Sequence, residues 1–129
     1  MGQSLDAYAV YGFAMERYPE DDTLPDGFSQ GLTNAEIAEA TYMDAENIEF
    51  DTIVTGVVEL KYPLLGVAYP GMDESEEMVV FVKRTEVNAY YASEPLKLEE
   101  ATAEEEAQIR SLALLLGKNP GWLIYPTYG

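Results

Sequence analysis

FDTIVTGVVELKY, residues 50–62, is the stretch on which the fold turns. Thr, Ile and Val crowd it, and side chains branched at Cβ pack well on a pleated surface, so it reads as a strand. Gly56 within it is then a bulge or a point of close backbone approach, and Pro63 limits its length. A second short strand, LLGVAY (64–69), follows, and the chain turns at Pro70-Gly71. DESEE (73–77) is an acidic turn. MVVFVKRTEV (78–87) is the clearest strand in the chain, and NAYYA after it either extends it or pairs back on it before Pro95 closes the region.

On the other side, SLDAYAVYGFAM (4–15) mixes aromatic and branched residues and predicts a first strand. ERYPEDDTLPDGFSQG (16–31) is a long loop by its prolines, glycines and acids. GWLIYPTY (121–128) is a final edge strand or an aromatic tail. Two helices complete the set. Thr33 and Glu36 form a T-x-x-E capping box, in which each side chain satisfies a backbone N–H at a helix start, and that helix runs to about Met43 or Ala45. Thr102 and Glu105 form a second box, with Glu104, Glu105 and Glu106 in the first turn, where the helix dipole favours anions. Ile109, Leu112, Ala113 and Leu116 follow at i, i+3, i+4, i+7, and Gly117 with Pro120 ends the helix, which covers roughly 103–116. The expectation is one compact α+β domain over residues 1–129, a mainly antiparallel sheet of four to six strands with two helices packed on it. No internal repeat or linker divides the chain.

The composition supports a folded core: 129 residues, 47% apolar, with ten Tyr, four Phe and one Trp. The absence of cysteine and histidine removes disulfides, thiolate metal sites, cysteine nucleophiles, the usual general base near neutral pH and the commonest transition-metal ligand. No apolar run approaches the roughly 18 residues of a membrane span. The N-terminus lacks the basic-then-apolar order of a signal peptide, so the cytoplasm is the default location and no membrane partner is expected.

Chemistry-bearing patterns are weak. Gly27-Phe28-Ser29-Gln30-Gly31 matches G-x-S-x-G, yet the nucleophile elbow needs a strand before the serine and a histidine to take its proton. A calcium loop begun at Asp22 puts Asp26 and Gly27 at its fifth and sixth positions, but Leu24 and Thr33 stand where ligands are required. A weak cation site among Glu20, Asp21, Asp22 and Asp26 is the residue of that idea, and a solvated loop explains them as well. Glycosidase carboxylate pairs need neither Cys nor His, but acids this abundant make any one pair uninformative. With no Walker or dinucleotide glycine motif either, an enzyme is not expected, and neither cofactor nor metal is.

The charge is the outlying property. Twenty-four acids against seven bases give a net charge of −17, and from Tyr18 to Leu60 there are eleven acids and no base. Such a field repels nucleic acid and attracts basic surfaces. Spread evenly over the roughly 6,800 Å² that a chain of this mass exposes, the net charge is about one per 400 Å². B-DNA, a charge every ~1.7 Å on a cylinder about 10 Å in radius, carries about one per 110 Å². Imitating a phosphate backbone therefore needs clustering on one face. The bases run from Lys61 onward, with Arg17 the exception, so the face should draw on Glu20, Asp21, Asp22, Asp26, Glu36, Glu39, Asp44, Glu46, Glu49 and Asp51. Trp122 and Tyr125 in the aromatic end segment are candidate anchors for a partner or a second copy.

Two functional expectations follow. One is a small acidic inhibitor or regulator that occupies a basic groove of a protein, such as a nucleic-acid-processing enzyme. In overall character only, without a family motif, that is similar to the decoys by which phage-encoded inhibitors block host defence. The other is a virion or oligomer component that docks through a sheet edge and the aromatic end.

Overall fold

Seven elements follow one another in the computed structural model, which describes residues 5–70, 76–88 and 99–128. They are β1 (Leu5–Glu16), α1 (Asn34–Thr41), α2 (Phe50–Lys61), β2 (Gly66–Ala68), β3 (Glu77–Asn88), α3 (Ala103–Leu116) and β4 (Gly121–Tyr128), with a short 3-10 turn at Ala45–Asn47 ahead of α2. Of the NAYYA stretch only Asn88, the last residue of β3, is among the described residues; Pro95 and most of the DESEE turn lie outside them.

Residues 50–61, expected as a strand, form a helix, so there are three helices rather than two: α2 and α3 pack on the sheet, and α1 packs on α2. Phe50, Ile53, Val54, Val57 and Val58 recur at i, i+3, i+4, i+7 and i+8, the spacing of one helix face, and all five enter the same core. Gly56 is not a bulge but a contact point between helices. A Cβ built there would sit 2.7 Å from Cγ2 of Ile37 on α1, so the missing side chain lets the two helices approach. The helices foreseen from capping boxes are both present, with Thr33 and Thr102 accepting from the backbone of Glu36 and Glu105.

The sheet is antiparallel throughout, in the order β2-β3-β1-β4. β1 and β2 flank β3 and run parallel to each other; β3 and β4 flank β1 likewise. With helices in both crossovers, this is the interleaved split βαβ arrangement called ferredoxin-like, with α1 and α2 sharing the first crossover. Many unrelated functions use it.

One face of the sheet carries the main core: Phe13, Met15, Met78, Val80 and Val82 meet Val54, Val57 and Val58 of α2 and Ile109 and Leu112 of α3. The opposite face has its own smaller cluster drawn from strands, with Val10, Val79 and Tyr125 buried among Tyr8, Phe81 and Leu123. The β1–β3 register slips at Tyr11/Gly12. A Cβ on Gly12 would lie 1.8 Å from the Val80 carbonyl oxygen, so only glycine allows the strands to close there.

Candidate functional site

Antiparallel pairing brings the end of β1 to the start of β3, so Glu16 stands directly opposite Glu77. Glu76 precedes, and its carbonyl accepts the Arg17 N–H at 2.7 Å. The chain then leaves the sheet as Tyr18-Pro19-Glu20-Asp21-Asp22. The result is a groove of about 590 Å³ whose seven lining residues include five carboxylates: Glu16, Glu20, Asp21, Glu76 and Glu77 beside Tyr18 and Pro19.

Pro19 is a wall of two neighbouring clefts. One is lined also by Asp22, Glu49, Ile48, Phe50 and Ile53. The other adds Leu24, Leu115 and a base, Lys118. Seven carboxylates thus gather around one proline: Glu16, Glu20, Asp21, Asp22, Glu49, Glu76 and Glu77. Asp21 is held below the usual carboxylate range by the side-chain and backbone hydrogen bonds of Thr23.

The base beside this groove is turned inward. Arg17 Nε donates to Asp51 Oδ2 at 2.8 Å, with the two side chains only 16% and 9% exposed. Its guanidinium lies over the rings of Tyr69 and Tyr18, 4.5 and 5.1 Å from their centroids. Asp51, expected on the acidic face, is therefore buried and paired, and contributes nothing to it. That pair is a structural tie between the loop and the first turn of α2.

Of the other expected residues, Glu20, Asp21, Asp22 and Glu49 come together around Pro19. Asp26 is exposed on a turn, while Glu36 and Glu39 on α1 and Asp44 and Glu46 around the 3-10 turn are exposed but line none of the three clefts. Trp122 is 41% exposed, whereas Tyr125 is buried in the strand-only cluster with its hydroxyl lacking a hydrogen-bond partner among the described residues. Burial pushes that phenol above its ordinary range. Glu16, Glu76 and Glu77 were not foreseen. Their signal was the pairing of β1 with β3, which converts two distant acidic stretches into neighbours.

Among the described residues, no group of three or more Asp or Glu is placed to hold a metal ion, so the cation site considered for residues 20–26 is not assembled there. Ser29 sits between turns at Gly27 and Gly31, both with positive φ, rather than on a strand-to-helix elbow. No helix among the described residues is long and apolar enough to cross a membrane. No protein-family model matches the sequence, and no curated protein or solved structure is detectably similar to it.

Proposed function

We propose that the chain is a small acidic binding protein that inserts its carboxylate-ringed end, centred on Pro19, into a basic groove of a protein partner. The observation that carries this is the gathering of seven carboxylates around Pro19. Five carboxylates line the groove itself, and Asp22 and Glu49 line the cleft beside it. Carboxylates gathered this closely repel one another, and a cationic surface relieves that repulsion on binding. A nucleic-acid-processing enzyme fits such a partner, because its groove is built to neutralise phosphates, and the chain would then act as a decoy.

Capture of partners from lysate on the immobilised chain, eluted with a salt gradient, tests this. A basic, nucleic-acid-binding protein should elute steeply with salt and be displaced by DNA. The Glu16→Gln/Glu20→Gln double variant should bind it less tightly while keeping its cooperative thermal transition. Partners held equally at high salt would sink the reading.

One observation favours a second reading, assembly through the sheet edge. β4 is an edge strand without a charged residue between Gly121 and Tyr128, and Ile124 on it is 70% exposed. Edges are usually protected by charge. Self-association that ignores salt and is abolished by Ile124→Lys in sedimentation would favour it over the decoy.

A further inference from the structure

Away from Pro19, a cavity of about 370 Å³ opens where β1 and β4 meet the start of α3, lined by Tyr11, Trp122, Glu100, Glu106 and residues 101–103. Tyr11 and Trp122 are cross-strand partners. Their ring centroids are 5.6 Å apart with the planes at 50°, so two aromatic walls meet at an angle. Tyr11 Oη donates to Glu106 Oε1 at 2.9 Å, which fixes both the ring and the carboxylate.

The charges facing the cavity favour a cation. Hydrogen bonds from Tyr11 and then from Arg110 hold Glu106 below the usual carboxylate range, so it is ionised at neutral pH. Glu100 is exposed at the rim. Arg110 reaches Glu106 from the next turn but does not line the cavity, and Lys83 is engaged with Glu99 and Glu105 at 3.4 Å. A helix start ordinarily offers free N–H groups to an anion. Here Thr102 and Glu105 already use two of them in the capping box, and Glu104, Glu105 and Glu106 offset the dipole. A hard metal ion would find aromatic walls where it needs oxygens. A guanidinium or ammonium group finds two aromatic side chains and two carboxylates, the combination that recognises organic cations.

We propose that this cavity takes the cationic head group of an arginine or lysine side chain, stacked on Trp122 and held by Glu100 and Glu106. It rests on the reading of the chain as the receiver of a basic surface, and gives that surface a specific foothold distinct from the groove at Pro19.

The chain's single tryptophan lies in this cavity, so its fluorescence reports occupancy directly. Titration with N-acetyl-arginine amide at constant ionic strength should give a saturable change, half-complete on the order of 10 mM. N-acetyl-citrulline amide, of the same shape without the charge, should give none. Glu100→Gln, at an exposed position, should weaken binding several-fold, and Glu106→Gln further. A non-saturating response, an equal response to the citrulline compound, or unchanged binding in both variants would overturn the proposal. The groove is judged apart from this. If arginine amide fails to bind while salt still elutes a basic partner, the cavity proposal falls and the groove stands; if arginine amide binds and no basic partner is captured, the groove reading falls.

Discussion

α2 and β3 are each twelve residues long, and the helix holds more β-branched side chains than the strand, six against five. Composition points the same way for both, and spacing separates them. In β3, Met78, Val80 and Val82 go to the helix-side core while Val79 and Phe81 go to the opposite face, a period of two. In α2, Ile53 and Val54 lie next to each other in sequence and enter the same core, as do Val57 and Val58. Magnitudes explain why spacing wins. A branched residue costs a helix a few tenths of a kcal/mol, whereas burying its side chain gains about 1.5–3 kcal/mol. Propensity decides where burial is indifferent, and here burial is not.

The sharpest break of this comparison is a charge at Val54 and, separately, at Val57. Helical spacing puts both in the core, where they are 0% and 1% exposed, whereas a strand would place them on opposite faces. Val54→Asp and Val57→Asp should each bury an unpaired carboxylate and cost more than about 4 kcal/mol, seen as loss of the cooperative thermal transition. Tolerance of either would restore a period of two.

Gly56→Ala comes next. In an exposed helix the change gains up to about 1 kcal/mol. Against Ile37 it should instead cost about 1–3 kcal/mol in urea unfolding, because the new methyl overlaps Cγ2. Combining it with Ile37→Ala should give a total smaller than the sum of the two single effects, and strict additivity would show that the two residues do not touch.

A smaller effect distinguishes α3. Glu105 is held below the usual carboxylate range first by the Thr102 backbone hydrogen bond, at 2.9 Å, and also by Lys83. A carboxylate depressed in the folded state adds stability that is complete above its unfolded value of about 4.3 and is lost as pH falls through the folded value. Melting temperature should therefore drop between about pH 5 and 3, and Glu105→Gln should flatten the drop; an identical acid profile in the variant would show that the cap is indifferent to charge.

The smallest test uses the exposed face of α2. Glu59→Thr should cost a few tenths of a kcal/mol in a helix and would gain as much in a strand, so the sign of the midpoint shift in urea is the readout.

What could be read from the residues follows the same division. α1 and α3 announced themselves through Thr33 and Thr102, because a capping box is local and its geometry is nearly specific to a helix start. α2 has Glu49 at its N-cap with no side-chain hydrogen bond, so its start carried no such mark and only the spacing of Phe50, Ile53, Val54, Val57 and Val58 was left. The base-free run from Tyr18 to Leu60 drew attention to Glu20, Asp21, Asp22 and Glu49, which the fold gathers around Pro19. Three things were beyond it, because each depends on contacts between distant residues. Asp51 is withdrawn by Arg17, thirty-four positions away. Glu16 is matched with Glu77 by strand register. Glu106 is drawn to the aromatic cavity by Tyr11, ninety-five positions away.

The interleaving of the sheet also sets the timing of its formation. β1 is the first strand in the chain, yet its neighbours are β3 and β4, so Glu16 waits for Glu77 and Leu5 waits for Tyr128. Contacts this remote along the chain must close long loops before they are rewarded, which slows folding relative to a chain of local hairpins. Until Gly121–Tyr128 is in place, β1 keeps one bare edge beside the apolar residues Ala9 and Val10. The last strand is the one that retires it.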